Sequence, residues 1–139
     1  MLSKGRAKIV ETYDLNKKAN GYLIELKKHG RHTDAYLSVA LPGCFKGYHL
    51  HKVREANYVC VRGKVKVITY SKLTGAKTES ILEIGDKLHI DTNTPTGIQN
   101  EWEDEAWLIN FPDPAYDPEL QDEQIDMTEE DVEAWARKP

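Results

Sequence analysis

The chain has 139 residues, 40% of them hydrophobic and 30% charged, with a net charge of −4. That size and balance predict one globular domain over residues 1–139, large enough to bury a real core. No apolar run reaches the roughly 18 residues of a membrane span, and Met1-Leu2-Ser3-Lys4-Gly5-Arg6 has no apolar signal region, so a cytoplasmic protein with no membrane partner is expected.

Cys44 and Cys60 are too few for a disulfide scaffold and lack metal-ligand spacing; they read as buried thiols in a reducing compartment. The net charge hides an asymmetry. Residues 1–70 carry 14 Lys/Arg against 5 Asp/Glu (+9), whereas residues 71–139 carry 5 against 18 (−13). Either the two halves neutralise each other in the folded domain, or the basic half holds an anionic small molecule. Nucleic acid is not an expected partner, because no Lys/Arg run is interleaved with aromatics and the chain is acidic overall.

Taken in chain order, period-two alternation recurs from about residue 20 to residue 111. Tyr22, Ile24 and Leu26 alternate with Leu23, Glu25 and Lys27. Lys27-Lys28-His29-Gly30-Arg31-His32 reads as a solvated hairpin tip. Ala35, Leu37, Val39 and Leu41 alternate with Tyr36, Ser38 and Ala40. Runs at 57–61 and 64–70 meet through Arg62-Gly63, which predicts a tight hairpin. Further strands are expected at Ser80–Ile84, Lys87–Ile90 and Ala106–Phe111, with His89 and Cys60 in the core. Many short strands with no helix between them indicate an all-β sandwich or barrel. Residues 113–139 are expected to form an acidic C-terminal wrap and helix, with a solvated tail as the alternative reading of 113–126. Thr128-Glu129-Glu130-Asp131 resembles a capping box, Val132 and Trp135 follow at i, i+3 spacing, and Arg137-Lys138 suit the negative end of the helix dipole.

Gly47-Tyr48-His49-Leu50-His51-Lys52 is the chemically suggestive segment. Two histidines two residues apart on one strand share a face, and imidazole is both a metal ligand and a base near neutrality. The pair is half of a metal site, a proton-transfer site, or a pair of hydrogen-bonded barrel residues.

Pro42-Gly43 … His49-Leu50-His51 … Gly63, followed by Gly85-Asp86 … Ile90 … Gly97 … Asn100, resembles the two motifs of the cupin superfamily. That resemblance implies a cupin-type β-jelly-roll barrel with a short C-terminal helix. Metal-binding cupins take two His and a Glu from the first motif and a third His from the second. Counted from Gly63, the Glu position is Ala56, and Glu55 lies one residue off, turned to the other face. The second-motif His falls on Thr96. Two imidazoles are a poor set for Zn, Fe or Mn, so neither a metal nor another cofactor is expected.

Within the superfamily, residues 10–126 resemble the sugar-nucleotide epimerases and isomerases. Gly47-Tyr48-His49, Val59-Cys60-Val61-Arg62-Gly63 and Tyr116-Asp117-Pro118-Glu119 with Ile125 resemble the deoxythymidine-diphosphate (dTDP)-4-dehydrorhamnose 3,5-epimerases. His49-Leu50-His51-Lys52 … Glu55 … Gly63 is similar to the dTDP-4-keto-6-deoxyhexose 3,4-ketoisomerases. The epimerases' opposing Tyr falls on Ile109 and their Lys on Ala56. The resemblance implies proton transfer by His49 and His51 next to the keto group of a dTDP-4-keto-6-deoxyhexose, in deoxysugar or polysaccharide biosynthesis. It also implies contacts from Lys46, Lys52, Arg54 and Arg62 to the diphosphate or an enolate oxygen, with Tyr36, Tyr48, Tyr58 and Tyr70 as possible donors. A homodimer formed by strand exchange is expected. Trp102 and Trp107 read as core or dimer contacts, or else as a stacking platform. The alternatives are a catalytically inactive sugar-nucleotide-binding cupin and a metal-dependent cupin enzyme.

Overall fold

The computed structural model describes residues 9–27, 34–115, 119 and 123–137; the basic tip at 28–33 and most of 116–122, including Tyr116, lie outside them. Eleven strands and one helix are described: β1 (Ile9–Tyr13), β2 (Ala19–Lys27), β3 (Ala35–Ala40), β4 (Phe45–His51), β5 (Ala56–Arg62), β6 (Val65–Tyr70), β7 (Lys77–Leu82), β8 (Lys87–Ile90), β9 (Thr96–Gln99), β10 (Ala106–Asn110), β11 (Gln124–Asp126) and α1 (Glu129–Arg137). They form two antiparallel sheets, β1-β2-β3-β10-β5-β8 and β11-β4-β9-β6-β7.

Alternation along the strands builds the core between the sheets. Ala40, Cys60, Val65, Val67, Leu82, Ile90, Ile98, Ala106 and Leu108 pack together there, with Ala56, Tyr58 and Leu88 against them. The outer face of the second sheet is also apolar, and α1 covers it: Tyr48, Leu50, Ile68 and Tyr70 meet Met127 and the fully buried Val132. The expected cap is present and reciprocal, with Asp131 N–H donating to Thr128 Oγ1 and Thr128 N–H to Asp131 Oδ2, each at 3.0 Å.

Two expectations need correction. Arg62-Gly63 is not a hairpin turn: β5 pairs with β10 and β8 in one sheet, while β6 pairs with β9 and β7 in the other. The link is a corner that carries the chain between sheets. Gly63 has φ +70°, and a Cβ there would sit 2.4 Å from the Glu105 carbonyl oxygen. His89, expected in the core, has a side chain 51% exposed, because its neighbours Leu88 and Ile90 take the inward face of β8.

Part of the charge asymmetry is neutralised between the halves. Arg54 pairs with Glu123, Arg62 with Asp104, Lys64 with Glu83, and Lys66 with Glu101. In every one of these pairs the cation precedes residue 70 and the acid follows it.

Candidate active site

The cavity between the sheets has a volume of about 510 Å³ and sits on the core, sharing Ala56, Tyr58, Ile90 and Ile98 with it. One wall is β4, whose register against β9 shifts between Lys46↔Ile98 and His49↔Thr96. Gly47 and Tyr48 there oppose the single residue Gly97, which is a β-bulge. The extra residue reverses the parity of the strand. Lys46 therefore lines the cavity together with His49 and His51, although strict alternation would set it on the other face. Only glycine fits at position 47: φ is +117°, and a Cβ would lie 2.7 Å from the Thr96 carbonyl oxygen.

Each histidine is held by a carboxylate from the C-terminal segment. β11 pairs with β4 in the register Asp126↔His49 and Gln124↔His51. His49 Nδ1 lies 2.6 Å from Asp126 Oδ1, and His51 Nδ1 lies 3.1 Å from Glu123 Oε2. An ionised carboxylate only accepts, so these contacts favour the proton on Nδ1 and leave Nε2 as the basic nitrogen, while the donors Gln124 Nε2 and Arg54 Nη2 approach the same Nδ1 atoms of His49 and His51 at 3.3 and 3.2 Å. Glu123 also accepts from the Arg54 backbone N–H at 3.0 Å and from Arg54 Nε at 3.1 Å.

Burial raises the Glu123 carboxyl, but the Arg54 N–H, the His51 bond and the Arg54 charge outweigh it, and the net shift is downward. Asp126 is likewise depressed: burial opposes, while hydrogen bonds from Gln124 and His49 and the histidine charges prevail. His51 itself is lowered, first by burial and then by the neighbouring Arg54 cation, against the pull of Glu123. A lowered pKa keeps its Nε2 unprotonated and available as a base near neutrality.

Lys46 is buried and donates from Nζ to Ser38 Oγ at 2.9 Å and to the Val39 carbonyl at 3.3 Å. Burial pulls its amine down to about 8. Tyr36 and Tyr58 line the cavity. Both are pushed up to about 12, Tyr36 by burial and its 3.1 Å bond to Asp34 Oδ2, and Tyr58 by burial. Both therefore remain neutral donors.

His49, His51, Lys46, Arg54, Tyr36 and Tyr58 are brought together in one cavity, and four other expected residues, Tyr48, Tyr70, Lys52 and Arg62, are not. Tyr48 borders the cavity, but its ring turns outward under α1, with centroids 5.0 Å from Phe45 and 5.9 Å from Tyr70; burial raises its hydroxyl strongly. Lys52 is exposed past the end of β4 and does not line the cavity. Arg62 lies at the far end of β5, bound to Asp104 at 2.7 Å and stacked 5.0 Å from the Trp107 ring centroid. Trp107 and Trp102 lie outside the cavity lining too.

Position 109 needs the same correction. Leu108 is core and Asn110 lines the cavity, so Ile109 points away and Asn110 is the inward residue at that level. Sequence reasoning missed Glu123, Asp126 and Asn110. The signal for the acids was present: two inward histidines need acceptors, and an acidic segment lay unassigned at residues 113–126.

The donor set does not fit a cupin metal. Ala56 and Thr96 line the cavity where further ligands would stand, Thr96 directly opposite His49, while Glu55 faces elsewhere. Among the described residues, the His, Cys, Asp and Glu side chains whose ligand atoms gather within 4.8 Å are Glu55, His89 and Asp91. They lie at the end of β8, where His89 Nδ1 bonds Asn57 Oδ1 at 2.8 Å.

Structural comparison decides the architecture. Capsular polysaccharide assembling protein CapF from Staphylococcus aureus superposes with a TM-score of 0.71 at 18% identity, over 85% of this chain and 34% of that one. A single-substitution variant of oxalate decarboxylase from B. subtilis gives 0.70 at 16% identity, over 87% and 30%. The chain has the cupin β-jelly-roll fold. A recombinant oxalate oxidase is similar at a TM-score of 0.63 and 14% identity, over 74% of this chain and 56% of that one. The chain spans about a third of the length of the CapF chain. No protein-family model matches the sequence, and no curated protein does. No described helix is long and apolar enough to cross a membrane.

Proposed function

We propose that this cupin chain is a sugar-nucleotide isomerase that moves protons next to the keto group of a dTDP-4-keto-6-deoxyhexose, as a 3,4-ketoisomerase or a 3,5-epimerase-like enzyme. The observation that carries the reading is the pair of histidine–carboxylate contacts on one cavity wall, His49–Asp126 at 2.6 Å and His51–Glu123 at 3.1 Å. A carbonyl acidifies the hydrogens on its neighbouring carbons. His51 Nε2 or His49 Nε2 takes one such proton, and the carboxylate behind the ring steadies the imidazolium that forms. Return of the proton to the other face inverts the carbon; return elsewhere moves the carbonyl.

The negative charge that develops on oxygen needs a donor. Arg54 is already engaged by Glu123, which leaves Lys46 and the Tyr58 hydroxyl for that role. CapF, similar in fold, is named for capsular polysaccharide assembly, a setting in which sugar nucleotides are the building blocks. A homodimer is part of this proposal, supported by the edge strand β1, where Ile9 is 63% and Tyr13 55% exposed. Light scattering that gives a mass near the 15.9 kDa of one chain would remove it.

The function is tested by incubating dTDP-4-keto-6-deoxyglucose with the protein in D₂O and reading the sugar by NMR. Deuterium at C3 or C5 is expected. A sugar nucleotide that binds without exchange would make the protein a binding cupin.

A further inference from the structure

Lys46 is the buried amine of this cavity, 8% exposed, and no ion pair to a carboxylate forms at its Nζ among the described residues. Lysine is among the residues least often found fully buried without a partner. Its nitrogen is bonded to Cε and donates to Ser38 Oγ and the Val39 carbonyl, so one tetrahedral corner is left. In the ammonium that corner is a third N–H; in the free amine it is the lone pair. The bulge at Gly47 and Tyr48 turns the Lys46 side chain to the cavity face of β4, the face that carries His49 and His51. Its nitrogen reaches Ser38 and Val39 of β3 in the other sheet, so that amine and histidines face one space.

We propose that Lys46, in place of donating to the carbonyl oxygen, is a nucleophile that forms an imine with the carbonyl carbon of the ligand held in this cavity. The identity of the carbonyl rests on the sugar-nucleotide reading above; the reactivity of the amine does not. The Nζ lone pair adds to the carbonyl carbon while the C=O π pair moves to oxygen, and proton transfer from nitrogen to oxygen gives a carbinolamine. A second proton, from a protonated cavity histidine, lets that oxygen leave as water, and the nitrogen lone pair closes the C=N bond of a protonated imine. No oxidant or reductant is consumed. The cationic nitrogen then draws electrons from the adjacent C–H bond more strongly than the ketone oxygen did, which lightens the work of the histidine base. Once the proton has returned to the carbon it left, hydrolysis restores amine and carbonyl, so the imine belongs to the epimerase-like reaction and not to migration of the keto group. Burial without a counter-charge favours the reactive form: an amine at about 8 rather than 10.5 is unprotonated about 300 times more often at pH 7.

The wild-type protein is treated at pH 7 with acetaldehyde and cyanoborohydride in one arm, and with dTDP-4-keto-6-deoxyglucose and borohydride in the other. Adducts are mapped by peptide mass. Lys46 is expected to be ethylated at least tenfold faster than the exposed Lys64. A sugar-nucleotide adduct is expected on the Lys46 peptide, absent in Lys46→Arg. No Lys46 adduct with either carbonyl overturns the imine, and deuterium exchange seen alongside that result leaves the proton-transfer reading standing. Rapid ethylation of Lys46 without sugar adduct or exchange supports the nucleophile and overturns the choice of sugar.

Discussion

Replacing Glu123 by alanine strips three donors at once. The carboxylate is 7% exposed and accepts from the Arg54 N–H at 3.0 Å, from Arg54 Nε at 3.1 Å and from His51 Nδ1 at 3.1 Å. Hydrogen bonds to a charged group contribute about 1.5–3 kcal/mol each, but they share one carboxylate and are not additive. Loss of one partner of a buried pair costs about 3–5 kcal/mol, and the Arg54 side chain left behind is itself only 13% exposed. We expect Glu123→Ala to lose about 3–4 kcal/mol and, at roughly 3–4 °C per kcal/mol for a domain of this size, to melt about 10–15 °C lower. Circular dichroism melts at pH 7, with urea titration for the free energy, measure this.

The pH dependence gives a second check. Glu123 is depressed in the fold, so its contribution is full above its ordinary 4.5 and is lost as pH falls through its lower folded value. His51 is also lowered; its unfolded form binds protons more readily, so stability starts to fall as pH drops below 6.5. Wild type should therefore lose stability on acidification in two stages, and Glu123→Ala should lose less in the more acidic one, to which Asp126 still contributes. A variant that melts within about 3 °C of wild type and keeps the acidic stage at full size would refute the account of this network.

His49→Asn should cut deuterium exchange by about 100-fold or more and leave dTDP-sugar affinity, measured by calorimetry, within about twofold; loss of both would make His49 a binding group. Gly47→Ala should cost about 2 kcal/mol or more in a urea titration, since the new methyl meets the Thr96 carbonyl at a positive φ. An unchanged midpoint would show that the bulge yields easily. Val132→Ala, at a fully buried position under α1, should cost about 2–3 kcal/mol; a loss below about 1 kcal/mol would mean that the helix adds little to the fold.

Strand positions, the helix with its cap, and the inward pair His49 and His51 were legible because each depends on residues near in sequence. What escaped depends on pairing across the fold. Arg62-Gly63 satisfies the local requirements of a hairpin and of a corner between sheets equally, and only the partners of β5 and β6 tell them apart. β11 is three residues long with every residue exposed, so it has no periodicity to read, and the two carboxylates that it and the residue before it bring to the histidines stayed hidden with it. A one-residue bulge placed Lys46 on the cavity face of the histidine strand, and one residue of parity moved the inward position from Ile109 to Asn110. The resemblance found the right strand; the register of its neighbours decided the rest.

The carboxylates lie 77 and 72 residues beyond the histidines they hold, and this separation has a consequence for synthesis. A nascent chain that has grown to residue 70 carries 14 of its 19 Lys/Arg and only 5 of the 23 Asp/Glu that will balance them. Its imidazoles lack these two acceptors until residue 126 has been made. The histidine–carboxylate network is therefore among the last features the growing polypeptide can complete, and a chain stopped short of residue 123 has the barrel's histidines without the carboxylates they bond.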